Sequence, residues 1–220
     1  MPDCASVTVV QNWLAETRDS YDTVAESYAD RLRDSIGKSP SLRMTLGLFA
    51  ELAGTGGPVA DVGCGTGHVT AHLHGLGLDA FGIDLSPGMI EVARRDHPGL
   101  RFLVGSMTAL PLPDASLAGL LAWWSLIHVP DDQVPVALGQ FRRVLRPGAP
   151  VAIGFHVGAF SQRKTQGYGG HPMRVDVHRR QPGQVSGWLR EAGFTVEAEW
   201  VEELDSEVPQ AVVYARRPVS

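Results

Sequence analysis

Two segments near the start of the chain place apolar residues every three or four positions, which is the repeat of an amphipathic helix. The first segment runs from Val7 to Leu32, and the second runs from about Ser41 to Leu52. Gly54, Gly56 and Gly57 follow the second segment and are expected to end it. The pattern therefore predicts two helices that precede the rest of the fold.

Beyond residue 57, short apolar segments alternate with amphipathic ones. The short apolar segments, which we interpret as strands, are 58–62, 79–84, 100–104, 117–124 and 150–156. The amphipathic segments, which we interpret as helices, are 67–76, 86–95, 131–145 and 182–192. The strands are apolar on both faces, which is typical of a parallel sheet that helices cover on both sides. The alternation itself predicts right-handed crossovers between parallel strands.

The last part of the chain departs from this alternation. Residues 157–180 show no clear periodicity and are rich in Gly, His, Arg and Gln. Residues 195–201 and 210–216 are predicted to be two strands that complete the sheet as an antiparallel hairpin. No segment has the composition of a linker, so a single domain is expected.

Composition narrows the classes of protein to be considered. With 220 residues, of which 44% are hydrophobic and 20% charged, the chain can form a full globular core. The net charge is −5 and basic residues occur at most as adjacent pairs, which argues against nucleic acid as a partner. Cys4 and Cys64 are too few for a disulfide framework or a thiolate zinc site, and no metal is expected. The chain shows no signal peptide and no apolar run of about 20 residues, so we expect a cytoplasmic protein without a membrane partner.

The residues after the first predicted strand carry the clearest chemical signal. Gly63, Gly65 and Gly67 lie where a ligand can approach the backbone and the free N–H groups of a helix. Asp84 ends the next strand, where an acidic residue meets ribose hydroxyls. Asp61 stands two residues ahead of the glycines, and its carboxylate is unfavourable beside a pyrophosphate but suits an ammonium group. These residues indicate a ligand with a ribose, a cationic amine and a small carboxylate, and S-adenosylmethionine has all three.

Four segments in order resemble the class I S-adenosylmethionine-dependent methyltransferases, specifically the small bacterial kind related to the ubiquinone-biosynthesis methyltransferases. They are residues 61–67, 82–89, 105–111 and 143–148. The resemblance implies an α/β fold, a Rossmann-like three-layer sandwich whose mostly parallel seven-stranded sheet has an antiparallel last strand and N-terminal lid helices. It divides the single domain into lid helices (1–57), a cofactor-binding core (58–156), a substrate-covering insert (157–180) and a last helix with a hairpin (181–220). It further implies S-adenosylmethionine as cofactor, S-adenosylhomocysteine as product and a small-molecule methyl acceptor.

The same resemblance assigns residues to the cofactor. The glycines would pack against its methionine part, Asp61 would lie near the amine, and Asp84 would bind the ribose. Ser106 stands where the family has an Asp at the adenine edge, which puts the contact to the adenine amino group in doubt. The full set of cofactor residues expected in this way is Asp61, Gly63, Cys64, Gly65, Thr66, Gly67, Asp84, Leu85, Met89, Gly105, Ser106, Met107, Trp124, Ser125, Tyr21 and Tyr28.

Residues for the acceptor and for proton transfer are sought near the ends of the later strands. His128, which follows the fourth strand, is the first choice for a base, followed by His156, and Tyr28 is a further catalytic candidate. The residues expected to contact the acceptor are Trp124, His128, His156, Tyr168, His171, Arg174 and Asp176. On the helix after the glycines, His68, His72 and His74 are expected to face solvent, and Trp13 is expected in the core.

Two other functions compete with a methyltransferase. An NAD(P)-dependent oxidoreductase is disfavoured by the GxGxG spacing, by Asp61 and by the lack of a Tyr-x-x-x-Lys pair. A non-catalytic cofactor-binding protein of the same fold draws slight support from Ser106. The sequence leaves open the acceptor, the atom that is methylated, and the choice between monomer and homodimer.

Overall fold

A computed structural model of the protein describes residues 4–203 and 205–219, with side chains from residue 12 onward, so the outermost residues of the predicted segments 1–57 and 181–220 lie outside it. Three helices open the chain: α1 (Cys4–Leu32), α2 (Ser35–Lys38) and α3 (Pro40–Ala53). The side chain of Ser39 accepts a hydrogen bond from the Leu42 N–H and so caps α3. The two predicted helices are therefore present, separated by a short helical turn.

Seven strands form one sheet. They are β1 (Pro58–Val62), β2 (Asp79–Asp84), β3 (Arg101–Val104), β4 (Gly119–Trp123), β5 (Pro150–His156), β8 (Thr195–Glu202) and β9 (Gln210–Arg216). Their spatial order is β3-β2-β1-β4-β5-β9-β8, in which the first five strands are parallel and β9 is antiparallel to both of its neighbours. The predicted mostly parallel sheet with an antiparallel last strand is confirmed.

Helices cover both faces of this sheet: α4 (His68–Gly75), α5 (Pro87–Asp96), α6 (Val134–Val144) and α7 (Pro182–Glu191) join the opening helices. Side chains along β4 show how the two faces are filled. Leu120 and Ala122 pack in the cluster formed with α6 and α7, whereas Leu121 and Trp123 pack in the cluster formed with α3 and α4. The result is the predicted three-layer sandwich. None of the described helices is long and apolar enough to cross a membrane.

The expectation that residues 157–180 lack regular structure is wrong. They form an antiparallel hairpin of β6 (Phe160–Gly167) and β7 (His171–Arg179), which is a separate two-stranded sheet. The hairpin packs on α1 through the buried side chains of Met173 and Val175, and the rest of its surface is largely exposed. Because so few positions face a core, the alternation that signals a strand is too weak to read from the sequence.

The end of β4 and the start of α6 lie at different residues than predicted, and both differences affect the site. β4 ends at Trp123 because Trp124 adopts a left-handed φ of 46°, which turns the chain out of the strand and into a 3-10 turn at Leu126–His128. Helix α6 begins at Val134 rather than at Asp131, whose carboxylate instead pairs with Arg180.

Candidate active site

The turn between β1 and α4 allows close approach because three of its five residues are glycines, two of which face the site. Gly63 has φ 79°, and a Cβ there would lie 2.1 Å from the Cβ of Ser125. Gly65 has φ 53°, and a Cβ there would lie 3.2 Å from the Tyr28 ring. A side chain at either position would also strain the backbone. The turn is therefore built to bring main-chain atoms to the surface of a cavity.

Two adjoining cavities open at the carboxyl ends of the parallel strands. The first, of about 650 Å³, lies between the ends of β1 to β4 and helix α1. Of the residues expected at the site, it is lined by Tyr21, Tyr28, Gly63, Gly65, Asp84, Leu85, Gly105, Ser106, Met107, Trp124, Ser125 and His128. The second, of about 460 Å³, shares Tyr28, Gly63, Trp123 and Trp124 with the first and adds Asp61 and Cys64. Together the cavities have the location of a small-molecule site in an open α/β sheet.

Two carboxylates flank the glycine turn in different environments. Asp84 accepts hydrogen bonds from the N–H groups of Gly65 at 2.8 Å and Ser86 at 2.9 Å, which partly offset the rise that burial causes in its pKa. Asp61 is fully buried, and its Oδ2 accepts a hydrogen bond from the Thr70 hydroxyl at 2.7 Å. Burial raises the pKa of Asp61 to about 7. Its Oδ1 has no hydrogen-bond partner among the described residues, so it is available to a ligand.

Other buried polar atoms around the cavities are also left without partners in the described part of the chain. They are the indole Nε1 atoms of Trp13, Trp123 and Trp124 and the Nδ1 atom of His68. A buried polar atom that makes no hydrogen bond is costly, and such atoms at a cavity wall are explained by a polar ligand. The indole donors of Trp123 and Trp124 line the second cavity together with the free Oδ1 of Asp61, which suits a ligand that carries both an anionic and a cationic group.

His128 is fixed by hydrogen bonds on both ring nitrogens. Its Nδ1 lies 2.9 Å from the backbone oxygen of Asp176, and its Nε2 lies 2.6 Å from the hydroxyl of Tyr21. A carbonyl oxygen can only accept, so Nδ1 carries the proton and Nε2 accepts from the Tyr21 O–H. Burial lowers the pKa of His128 to about 4, so the ring is neutral at pH 7. The contact joins α1, the turn after β4 and the hairpin at one point.

Residues 59–148, which include the glycine turn, both carboxylates and His128, match the model of a family described as methyltransferase domain. Residues 59–148 of the chain are thus similar to methyltransferase domains. The resemblance of the four sequence segments is thereby confirmed. The fold agrees, since the crystal structure of Burkholderia thailandensis 1,6-didemethyltoxoflavin-N1-methyltransferase superposes with a TM-score of 0.72 at 22% identity, covering 94% of this chain and 90% of that one.

Curated methyltransferases are also similar to part of the chain. The malonyl-[acyl-carrier protein] O-methyltransferase of Pectobacterium atrosepticum is 36% identical over 122 residues, covering 48% of this chain and 46% of that protein. The demethylmenaquinone methyltransferase of Renibacterium salmoninarum is 32% identical over 139 residues, covering 63% and 57%. The chain thus spans about half the length of these relatives.

A buried arginine positions the turn that carries His128. The guanidinium of Arg180 donates to the backbone oxygens of Leu126 at 2.8 Å and of Val129, and it pairs with Asp131 at 2.8 Å. Only 1% of Arg180 is exposed, so its charge depends on these partners. This role could not be predicted from the sequence, because an arginine next to a segment without periodicity normally faces solvent.

Several residues expected at the site lie away from the cavities. Thr66 and Gly67 belong to the start of α4, and Met89 is fully buried against α1; none of these three lines either cavity. His156 faces a separate open groove beside the hairpin, and its ring centroid lies 6.1 Å from that of Trp124. Tyr168 packs on Tyr28, with ring centroids 4.8 Å apart, and so closes the site from outside.

The other hairpin residues expected to contact the acceptor take part in surface interactions. The side chain of Asp176 pairs with Arg163 at 2.7 Å, and Arg174 pairs with Glu16 of α1 at 3.2 Å. His171 is exposed near the tip of the hairpin. Arg174 thus fastens the hairpin to α1, and of these three residues only Asp176 reaches the site, through its backbone oxygen.

Sequence reasoning also missed part of the cavity wall. Trp13, expected in the core, lines the first cavity with Leu14 and Thr17 of the same helix. A signal was present, because Leu14, Tyr21 and Tyr28 follow one another at intervals of seven residues, which places them on one face of a helix. The expectation that His68 faces solvent is wrong: its ring lies 6.5 Å from that of Tyr28, and burial lowers its pKa to about 4.

Proposed function

We propose that this chain binds S-adenosylmethionine and transfers its methyl group to a small-molecule acceptor in the cytoplasm, as a monomer or homodimer. The observation that carries the proposal is the pair of carboxylates at the ends of β1 and β2, on either side of the glycine turn. Asp61 offers a buried, unpartnered oxygen to an ammonium group, and Asp84 retains lone pairs for ribose hydroxyls. The named activities of the relatives and the S-adenosylhomocysteine bound in the structural neighbour support it.

The residues present fit this cofactor at each of its parts. The indole and imidazole donors beside Asp61 suit its carboxylate, and Leu85 and Met107 offer apolar surface beside Asp84 for the base. When bound, the cofactor supplies an electrophilic methyl group on a sulfonium, so the protein has to orient the acceptor and exclude water. Tyr21, Tyr28 and Trp124 provide aromatic faces, which favour a cationic methyl donor.

We propose that the Tyr21–His128 pair takes up the proton that the acceptor loses. His128 then acts as the base, and its tyrosine partner is Tyr21 rather than Tyr28. The Tyr21 hydroxyl already donates to His128, so its oxygen presents only lone pairs to the first cavity. An acceptor O–H or N–H that binds there can pass its proton to Tyr21 while the Tyr21 proton moves to Nε2 of His128. The neutral state of His128 at pH 7 leaves that nitrogen free to receive it.

The proposal is tested by calorimetric titration of S-adenosylhomocysteine and by incubation of the protein with deuteromethyl-labelled S-adenosylmethionine and a metabolite extract, with mass spectrometry of the products. We expect micromolar binding, loss of at least tenfold in affinity in Asp84→Asn, and labelled product. Tyr21→Phe should lower product formation at least tenfold while affinity for S-adenosylhomocysteine changes less than threefold.

The matched control is Asp79→Asn, at the opposite end of the same strand, where the carboxylate is exposed and pairs with Arg101. This variant should bind as the wild type does. If S-adenosylhomocysteine does not bind the wild type, the proposal is wrong. If it binds but no labelled product forms from any extract, the chain is a non-catalytic binding protein of this fold.

A further inference from the structure

The cavity wall formed by the residues after β3 presents a pair of hydroxyl groups. Ser106 lines the first cavity, and its Oγ lies 2.7 Å from the Oγ1 of Thr108. The same Oγ accepts a hydrogen bond from the Thr108 N–H at 3.2 Å. The Ala109 N–H donates to the backbone oxygen of Ser106 at 3.0 Å and closes the turn, so Ser106 is held in place at the cavity wall. No carboxylate lines this end of the cavity among the described residues, since Asp84 lies at the end of β2.

The sheet fixes the order in which the parts of the cofactor would be held, an argument that rests on the proposed function. Strands β1, β2 and β3 are consecutive neighbours, about 4.8 Å apart. Asp61 at the end of β1 suits the amino acid, and Asp84 at the end of β2 suits the ribose. The nucleobase then reaches the wall after β3, where Ser106 is the side chain with a polar group to offer.

The hydroxyl pair can present either a donor or an acceptor to that base. In one arrangement Ser106 donates its proton to Thr108, accepts the Thr108 N–H, and keeps one lone pair free to accept from an amino group. In the other arrangement Thr108 donates to Ser106, and the Ser106 proton is free to donate to a carbonyl oxygen. Both arrangements keep the Ser106–Thr108 hydrogen bond and the bond from the Thr108 N–H, and they differ only by rotation of two O–H bonds. A carboxylate at the same place could only accept.

We infer that this site does not distinguish an amino group from a carbonyl oxygen at the 6-position of the purine. Ser106 is the residue that allows either group to be bound. The protein then recognises its cofactor through the amino acid and the ribose, where Asp61 and Asp84 are fixed acceptors. A buried fixed acceptor rejects a ligand that lacks the matching donor, whereas a hydroxyl that can rotate does not.

The test compares two defined ligands by calorimetric titration: S-adenosylhomocysteine and its 6-deaminated analogue, S-inosylhomocysteine. Deamination also turns N1 of the base from an acceptor into an N–H donor, and this change is common to all variants, so the wild type sets the reference ratio of the two dissociation constants, which we expect to be less than about tenfold. Ser106→Asp introduces a fixed acceptor and should bind the analogue at least about 30-fold more weakly than S-adenosylhomocysteine, as expected for a lost bond to a charged group. Ser106→Ala should weaken both ligands by a similar factor, because neither arrangement is then possible.

The matched control is Ser116→Asp, which adds the same charge at a serine that hydrogen-bonds the Pro113 oxygen outside the cavity. Its ratio of the two affinities should equal that of the wild type. A wild type that binds S-adenosylhomocysteine but rejects the analogue by more than tenfold overturns the inference and leaves the proposed function standing. Unchanged affinities in Ser106→Ala also overturn it, and this measurement remains decisive if Ser106→Asp does not fold. Failure to bind either ligand would instead sink the proposed function.

Discussion

At the scale of single residues, the site depends on a few polar groups whose environment sets their chemistry. Asp61 and Asp84 are both carboxylates at strand ends, yet Asp84 is held by two backbone N–H groups whereas Asp61 keeps one buried oxygen without a partner in the described part of the chain. Their positions follow from the sequence, because the spacing to the glycines places them at adjacent strand ends. Their difference does not, because it arises from burial and from Thr70, nine residues further along.

The buried state of Asp61 predicts that cofactor affinity depends on pH. The pKa of Asp61 is about 7 in the free protein, and an ammonium group beside it favours the charged form. Below pH 7 the carboxyl must therefore lose its proton when the ligand binds. His68, whose pKa is about 4, stays neutral over this range. We expect affinity for S-adenosylhomocysteine to rise about tenfold from pH 6 to pH 8, with nearly one proton released at pH 6.

Titrations at pH 6 and pH 8, each in two buffers of different ionisation enthalpy, measure this proton directly. Asp61→Asn is the matched variant, since it keeps the shape of the side chain and removes its titration. It should bind more weakly and show no pH dependence between 6 and 8. Wild-type affinity that is constant over this range would contradict the assignment of Asp61 to the ammonium group.

At the scale of elements, α1 forms the wall of the site opposite the strand ends and is fastened to the core by its acidic residues. Asp22 accepts hydrogen bonds from the Ser86 hydroxyl at 2.5 Å and the Gly88 N–H at 2.8 Å, at the start of α5. Glu16 pairs with Arg163 of the hairpin, and Glu26 pairs with Arg95 of α5. The helix was predicted from its apolar repeat, but these attachments join residues more than 60 positions apart, which no local pattern reveals.

Removal of the Asp22 carboxylate should loosen this helix. Asp22→Ala removes two hydrogen bonds at an exposed position, worth together about 1 kcal/mol, and should weaken binding of S-adenosylhomocysteine about fivefold. Amide exchange between residues 13 and 28 should become faster, while that of the central strands stays unchanged. Asp19→Ala is the control, because Asp19 is exposed on the same helix and pairs with the adjacent Arg18. Wild-type affinity in Asp22→Ala would show that the site does not depend on this contact.

At the scale of the whole molecule, the contrast between the central sheet and the β6–β7 hairpin explains how much of the fold could be predicted from the sequence. The central sheet was predictable because strands such as β1 and β4 are apolar on both faces and are bounded by glycine or proline. The hairpin was missed because only Met173 and Val175 mark its buried face. The main cavity was largely predictable from the strand ends, whereas the contribution of Trp13 and the positioning by Arg180 depend on how distant elements pack.

A methyltransferase and the competing NAD(P)-dependent oxidoreductase predict different thermal behaviour of the whole protein. S-adenosylhomocysteine at about 100 times its dissociation constant should stabilise the fold by about 2.7 kcal/mol. For a chain of 220 residues, this corresponds to a rise of about 5–10 °C in Tm by differential scanning calorimetry. NADH and NADPH at the same concentration should leave Tm unchanged. A rise with either dinucleotide and none with S-adenosylhomocysteine would favour the oxidoreductase.

The separation of the β6–β7 hairpin from the central sheet has a consequence for how such a protein can diversify. The hairpin has its own two-stranded sheet and meets the body mainly through α1 and the turn that carries His128. Mutations along its exposed strands therefore leave the central hydrophobic clusters untouched. Exchange of the hairpin would therefore retain the central sheet and act on the candidate site through α1, through the packing of Tyr168 on Tyr28 and through the backbone oxygen of Asp176.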